Sequence, residues 1–296
     1  MTGLSLARRS LLAMLAASPA AAAVGTARQA GEPTGPWTGG GDIACGGGRL
    51  HYATLGPAAG EPLVLLHKLG GWIADWRGAA PYLAQHRQVI AFDLPGHGDS
   101  VMYGPPPPIM TVPEITAMIL AALDDLGVDR FSVAGNSLGG IVGVLLAALW
   151  PDRVSKLVLA SVSLIGRMTR AQIAEQDAER AKRGSGGAFI APQSSIFETM
   201  VPEVTREHAL GSARAGAWLR PCERGVGVVG VTDYLPRIKA PTLLINADRG
   251  HYVKYGDVGE RLIPHARQVT IANAGSFVHQ EKPRETAVAI NAFLAD

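Results

Sequence analysis

Short apolar runs recur along the chain at residues 63–66, 89–92, 131–134, 157–160, 242–245 and 269–271. They are apolar at nearly every position rather than at alternate ones, the pattern of strands buried on both faces of a parallel sheet. Helical periodicity separates most of them. Ile115, Met118, Ile119, Ala122, Leu123 and Leu126 share one helical face, and Gly127 follows as a C-terminal cap. A second apolar helix is expected from Ile141 to Trp150, stopped by Pro151. Ahead of these, Ile43 to Cys45 and Arg49 to Thr54 flank three glycines and read as an antiparallel hairpin. Alternation of this kind predicts an α/β fold: a doubly wound, mostly parallel sheet of about eight strands, with ligands at the carboxyl ends of the strands.

One stretch breaks the alternation. Residues 162–235 contain no clear strand and two helical patterns, 169–182 and 202–219, joined by glycine- and serine-rich loops. An insertion of this length between strands is expected to lie over the site as a helical lid. Its nine basic and eight acidic residues between Gly166 and Leu235 nearly cancel, so it advertises no charged substrate. The core is then divided between residues 42–161 and 236–296.

The N-terminus carries a separate message. Arg8 and Arg9 precede a short apolar stretch that ends in an alanine tract, Ala20 to Ala23, with small residues for cleavage. Residues 1–23 are therefore expected to be an export signal of twin-arginine type, sending the protein to the periplasm or out of the cell. Residues 24–41 follow as a flexible, Gly- and Pro-rich lead-in. Cleavage near Ala23 removes two of the 27 basic residues and none of the 25 acidic ones. The mature chain is formally neutral, which gives no reason to expect nucleic acid or an anionic membrane as partner. No other apolar run is long enough to span a bilayer. The expected partner is a small-molecule substrate or ligand under the lid. Two cysteines, Cys45 and Cys222, are read as free and partly buried.

The sharpest chemical signal is Gly135-Asn136-Ser137-Leu138-Gly139, a G-x-S-x-G sequence placed between an expected strand and an expected helix. In that context it is a nucleophile elbow: the tight turn lifts the Ser137 hydroxyl off the sheet, and the helix N-terminus offers amides to a developing oxyanion. Metal-site spacings, a phosphate-binding loop and a dinucleotide fingerprint are not found, so neither metal nor cofactor is expected.

Further landmarks stand in order. His67-Lys68-Leu69-Gly70-Gly71 follows the third strand, Asp93-Leu94-Pro95-Gly96-His97-Gly98-Asp99-Ser100 the fourth, and Ala240-Pro241-Thr242 opens the return to the core after the lid. With the elbow, these make the chain from Asp42 onward resemble the α/β-hydrolase superfamily. The resemblance implies oxyanion donors at the backbone N–H groups of Leu138 and Leu69. Lys68 replaces the first glycine of the H-G-x-G loop, placing a flexible cation near the mouth of the site or giving the loop a different turn. His67 and His97 fall at positions that support loop geometry.

The departures from the family pattern matter more. The triad acid is expected after the seventh strand, and the residues there run Asn246-Ala247-Asp248-Arg249-Gly250-His251-Tyr252-Val253. Gly250 takes the acid position, and Asp248 lies two residues earlier. The general base is expected after the eighth strand, where Gly275-Ser276-Phe277-Val278-His279 puts Ser276 at the base position. A serine hydroxyl is a weak nucleophile until a neighbour takes its proton. Neither substituted residue does that. His251, beside the vacated acid position, is the candidate base, with Asp248 the candidate orienting acid. His279, one helical turn beyond the base position, is the other imidazole in range.

Three functions are compatible with this pattern. One is a hydrolase of a small neutral ester-like substrate that uses Ser137 with a non-standard base. Another is a non-hydrolytic, lyase-like enzyme on the same fold. The third is a catalytically inactive, ligand-binding pseudo-hydrolase.

Overall fold

The computed structural model describes residues 35–181 and 201–296. The expected export signal and most of the lead-in lie outside the described residues. So do Lys182 and the loop that links the two expected lid helices.

The apolar runs form the strands they predict, with strands β1 (Gly39–Cys45), β2 (Gly48–Leu55), β3 (Leu63–Leu66), β4 (Val89–Phe92), β5 (Val101–Met102), β6 (Phe131–Asn136), β7 (Val154–Ala160), β8 (Thr242–Ala247) and β9 (Ala266–Ile271). They make one sheet of nine strands rather than about eight, in the order β1-β2-β4-β3-β6-β7-β8-β9, with the two-residue β5 paired to β2. The lead-in gives way earlier than expected, because Gly39, Gly40 and Gly41 pair with Thr54, Ala53 and Tyr52 in the β1–β2 hairpin. From β4 onward every pairing is parallel.

Helices cover both faces. On one side α2 (Val112–Asp125) and α3 (Leu138–Leu149) bury Ile115, Ile119, Leu123, Ile141, Val142 and Leu145 against Leu66, Phe92 and Val133. Thr111 and Glu114 cap α2 reciprocally, and Pro113 starts its first turn. On the other side α1 (Ala80–Leu83) and α9 (Pro283–Ala295) enclose Trp76, Leu83, Ile290 and Phe293 against Leu65, Ala91 and Ile245.

Residues 162–235 hold no strand among those described, but they hold three helices where the sequence suggested two. These are α4 (Arg170–Ala181), α5 (Pro202–Ala215) and α6 (Leu219–Val229). Two short helices lie elsewhere, α7 (Gly256–Leu262) after β8 and α8 (Val278–Glu281) before α9. The unanticipated α6 has Gly225 and Gly227 in its interior, which lowers intrinsic helix propensity. Tertiary contact overrides that cost, because a Cβ at Gly225 would stand 1.9 Å from the Met110 carbonyl oxygen ahead of α2. Helix α4 buries no side chain and is tied to α6 by ion pairs of Arg220 and Arg224 with Asp177, and of Arg180 with Glu223. Helix α5 lies directly on the loop after β3, where a Cβ at Gly211 would meet the Gly70 carbonyl oxygen at 2.3 Å.

Cys45 is half-buried and Cys222 buried, and neither is in a disulfide. Burial pushes the Cys222 thiol up to about 12. No helix among the described residues is long and apolar enough to cross a membrane.

Candidate active site

Ser137 occupies the turn between β6 and α3 with φ 48° and ψ −114°, a conformation strained for any residue with a Cβ. The turn closes because both flanking glycines are needed. A Cβ at Gly135 would come within 2.4 Å of the Gly139 carbonyl carbon, and one at Gly139 within 2.4 Å of the Leu66 carbonyl oxygen. Hydrogen bonds hold the corner from both sides. Ser137 N donates to the Ser161 carbonyl at 3.1 Å, and Gly139 N donates to the His67 carbonyl at 3.0 Å. Asn136 Nδ2 donates to the Ala160 and Ser161 carbonyls at 2.5 and 3.0 Å, binding the ends of β6 and β7 together. The backbone N–H groups of Leu138 and Leu69 are not engaged by any backbone carbonyl among the described residues, the condition an oxyanion donor must meet.

The loop that carries Leu69 is fixed by its neighbours. His67 Nδ1 donates to the Lys68 carbonyl at 2.6 Å, and its Nε2 accepts from Leu94 N at 2.9 Å, so the ring is neutral with its proton on Nδ1. Burial, with His97 5.3 Å away, holds it well below the ordinary histidine range. His97 is likewise buried and pushed down to about 4. Both act as struts.

Lys68 is neither flexible nor at the mouth of the site. Its side chain is 2% exposed and its ammonium donates to Asp75 Oδ2 at 2.6 Å and to Gln280 Oε1 at 2.9 Å, above the Phe277 ring. A cation so placed has no donor to spare for a ligand; it shapes the loop. The network continues outward. Gln280 Nε2 donates to Glu207 Oε2 at 3.0 Å, and Glu207 pairs with Arg77. Glu207 belongs to α5, so the lid helix is linked to the core through the same buried cation. A second link comes from Arg214 of α5, which pairs with Asp99 and stacks over the Trp72 ring at 4.2 Å.

Gly250 and Ser276, the residues that the family resemblance puts at the acid and base positions, are neighbours: a Cβ at Gly250 would lie 2.6 Å from Ser276 Oγ. Gly250 has φ 96°, open to glycine and strained for a side chain. Ser276 is fully buried, and its hydroxyl accepts from His251 N at 3.2 Å.

The remaining candidates are placed apart from Ser137. The His251 ring is half-buried, edge-on to Tyr252 and Tyr255 with centroids 5.2 and 5.8 Å away, and it makes no side-chain hydrogen bond to Ser137. Burial lowers its pKa, so the free ring is neutral near pH 7. Asp248 does not orient it. The Asp248 carboxylate accepts from Asn273 N at 2.9 Å and Ala274 N at 3.1 Å, pinning the turn after β9, and these bonds lower its pKa. His279 is fully buried against the Trp76 ring, with centroids 4.4 Å apart, and is far too desolvated to carry charge.

Tyr252 is a neighbour to which the sequence assigned no role; the Ser137 hydroxyl pulls its phenol down, against a larger effect of burial. Tyr252 is buried in a small apolar cluster with Val204 of α5 and Phe277, beside Tyr255. Burial pushes its phenol up to about 12. Its position in the quoted run, two residues past the vacated acid position, is the only sequence signal. Which of His251 and Tyr252 turns inward depends on the backbone at Gly250, which the sequence does not specify.

His51, Asp93 and Asp99 bring ligand atoms within 4.8 Å of one another. Their oxygens are already used. Asp93 accepts from Ile73 N and Asp99 N at 2.6 and 2.7 Å, and Asp99 is paired with Arg214. The cluster is explained as loop structure.

Known proteins share this fold. Residues 61–210, just over half the chain, match the profile of the alpha/beta hydrolase fold family. The chain is 28% identical over 250 residues to Esterase YbfF of Escherichia coli (strain K12), covering 80% of this chain and 94% of that protein. It is 38% identical over 130 residues to the dihydrolipoyllysine-residue acetyltransferase component of the acetoin cleaving system of Pseudomonas putida; that match spans 43% of this chain and about a third, 34%, of the relative. Among solved structures, a hydrolase from Pseudomonas aeruginosa PA01 superposes with a TM-score of 0.71 at 30% identity, over 88% of this chain and 99% of that one. On the matched profile, the elbow and the sheet order together, the chain belongs to the α/β-hydrolase fold family.

Proposed function

We propose that the protein is an exported serine esterase that cleaves a small, neutral, ester-like substrate, with Ser137 as nucleophile and a partner other than a triad histidine. The observation that carries this reading is the state of Ser137 itself. It is held at φ 48° on the elbow, half-exposed, beside two backbone N–H groups with no other backbone partner. A fold that needed only the turn would gain nothing from keeping a strained, reachable hydroxyl there. The likeness to Esterase YbfF over most of both chains supports ester chemistry. The neutrality of the substrate is supported by the near-zero charge of the lid. Export rests on Arg8, Arg9 and the alanine tract.

The test is labelling of the mature protein with a fluorophosphonate probe beside Ser137→Ala. Labelling that the substitution abolishes supports the reading. A folded protein that takes no label, or takes it equally without Ser137, refutes it in favour of a ligand-binding or non-hydrolytic role.

A further inference from the structure

The lid helix α5 reaches the loop after β3 on both sides of Leu69. A Cβ at Gly211 would stand 2.3 Å from the Gly70 carbonyl oxygen, and one at Gly70, which has φ 69°, would stand 2.6 Å from Ser212 Oγ. The helix therefore rests on the loop backbone itself. Arg214 of α5 stacks over the Trp72 ring at 4.2 Å and pairs with Asp99. On the other side Glu207 of α5 uses both carboxylate oxygens: Oε1 accepts from Arg77, and Oε2 accepts from Gln280 Nε2 at 3.0 Å. Gln280 Oε1 in turn accepts from Lys68 Nζ at 2.9 Å. Lys68, Gly70 and Trp72 are thus all tied to one helix, with Leu69 between the first two.

Gly70 and Gly71 give this loop little conformational preference of its own, so its neighbours set where the Leu69 N–H lies. An oxyanion donor works only when it is preorganised, and a misplacement of about 1 Å costs about 10²-fold in rate. We propose that Glu207 is a positioning residue for this donor; this rests on the esterase reading above. By clamping α5 to Arg77 and, through Gln280 and Lys68, to the loop after β3, Glu207 holds the Leu69 N–H where a developing oxyanion forms. The lid is then part of the frame of the oxyanion hole as well as a cover, and lifting α5 away loosens the hole.

A cover and a frame differ in their kinetics. A helix that only encloses substrate acts on ground-state binding, so loosening it raises KM and leaves kcat. A helix that places an oxyanion donor acts on the transition state, so loosening it lowers kcat and leaves KM nearly unchanged. Glu203, one turn earlier on α5, is exposed and pairs with Arg206 of the same helix, which makes it the control.

The experiment compares wild type, Glu207→Ala, Glu207→Gln and Glu203→Ala by amide hydrogen exchange over residues 67–76 and by kcat and KM for p-nitrophenyl butyrate. Glu207→Ala should speed exchange across the loop by about tenfold, the equivalent of one hydrogen bond to a charged group. Its kcat should fall by about 10- to 10²-fold, short of the outright loss of a donor, while KM barely moves. Glu207→Gln keeps an oxygen for Gln280 but no charge for Arg77, and should fall between. It carries the comparison alone if Glu207→Ala lacks a cooperative urea transition. Glu203→Ala should match wild type in both readouts. Unchanged exchange, unchanged kcat, a rise in KM with kcat intact, or equal changes in Glu203→Ala would each overturn the positioning role. No ester turnover in wild type refutes the esterase reading instead, and the exchange comparison then decides whether Glu207 holds the loop.

Discussion

Removing one partner of the Lys68–Asp75 pair tests the argument that the loop after β3 is held by a buried ion pair. Both side chains are almost fully buried, at 2% and 1% exposure, and their atoms are 2.6 Å apart. Burial pushes the Asp75 carboxyl up while the Lys68 ammonium pulls it down, so loss of the ammonium leaves only the desolvation. Lys68→Met strands that carboxylate and also the Gln280 carbonyl oxygen that accepts from Lys68 at 2.9 Å. The expected cost is about 3–5 kcal/mol, the range for breaking a buried pair on one side. With a urea slope of about 1–3 kcal/mol/M, the unfolding midpoint falls by roughly 1–5 M. Asp75→Leu should cost a similar amount by stranding the ammonium. Lys68→Met/Asp75→Leu removes both charges and should recover most of the loss, because Gln280 keeps its bond to Glu207. Urea titration of the four proteins closes the double-mutant cycle. On the esterase reading the single variants should also lose up to about 10²- to 10³-fold in ester turnover, because Leu69, the proposed second oxyanion donor, sits on the same loop. Singles that cost less than about 1 kcal/mol, the worth of an exposed pair, or a double variant equal to their sum, would refute the reasoning.

The other predictions concern backbone, titration and thiols. Gly250→Ala should destabilise by about 1–3 kcal/mol, since the residue has φ 96° and the new Cβ would crowd Ser276 Oγ at 2.6 Å; chemical denaturation reads the change. Stability should fall as pH drops from about 6.5 toward 4, because His97 and His208 are held to about 4 and about 3 in the fold and the unfolded chain takes up the protons first. Asp93, raised to about 7, opposes this by favouring the fold at lower pH, but His67 and His279 are held well down as well, so the histidines prevail and His97→Gln should flatten the slope in a melting-temperature series. Cys222, with its thiol pushed up to about 12, should react with iodoacetamide only in denaturant, whereas Cys45, half-buried, should react slowly in the native protein.

The sheet was legible because its strands are short apolar runs, such as residues 63–66, that suit no other environment than a doubly covered sheet. Helix α6 was not, because Gly225 and Gly227 erase its propensity and its existence depends on the close approach to Met110. At the site, Ser137 was legible because the elbow is local: strand, turn and helix adjoin in sequence. The expectation that Gly250 and Ser276 take the triad positions came from their fixed offsets after β8 and β9. Lys68 could be read as a flexible cation or as a change of turn, and its partners Asp75 and Gln280, which decide for the loop, lie 7 and 212 residues away. His251 drew attention as an imidazole beside Gly250, but after that glycine at φ 96° its ring lies edge-on to two tyrosines.

The most direct measurement is to trap the acyl-enzyme. The mature protein is quenched in acid during turnover of p-nitrophenyl butyrate, digested and mapped by mass spectrometry. A butyryl group on the Ser137 peptide, absent in Ser137→Ala, is the result expected of a serine esterase that works without a triad histidine. Turnover with no acyl group on Ser137, or an acyl group carried elsewhere, would contradict it.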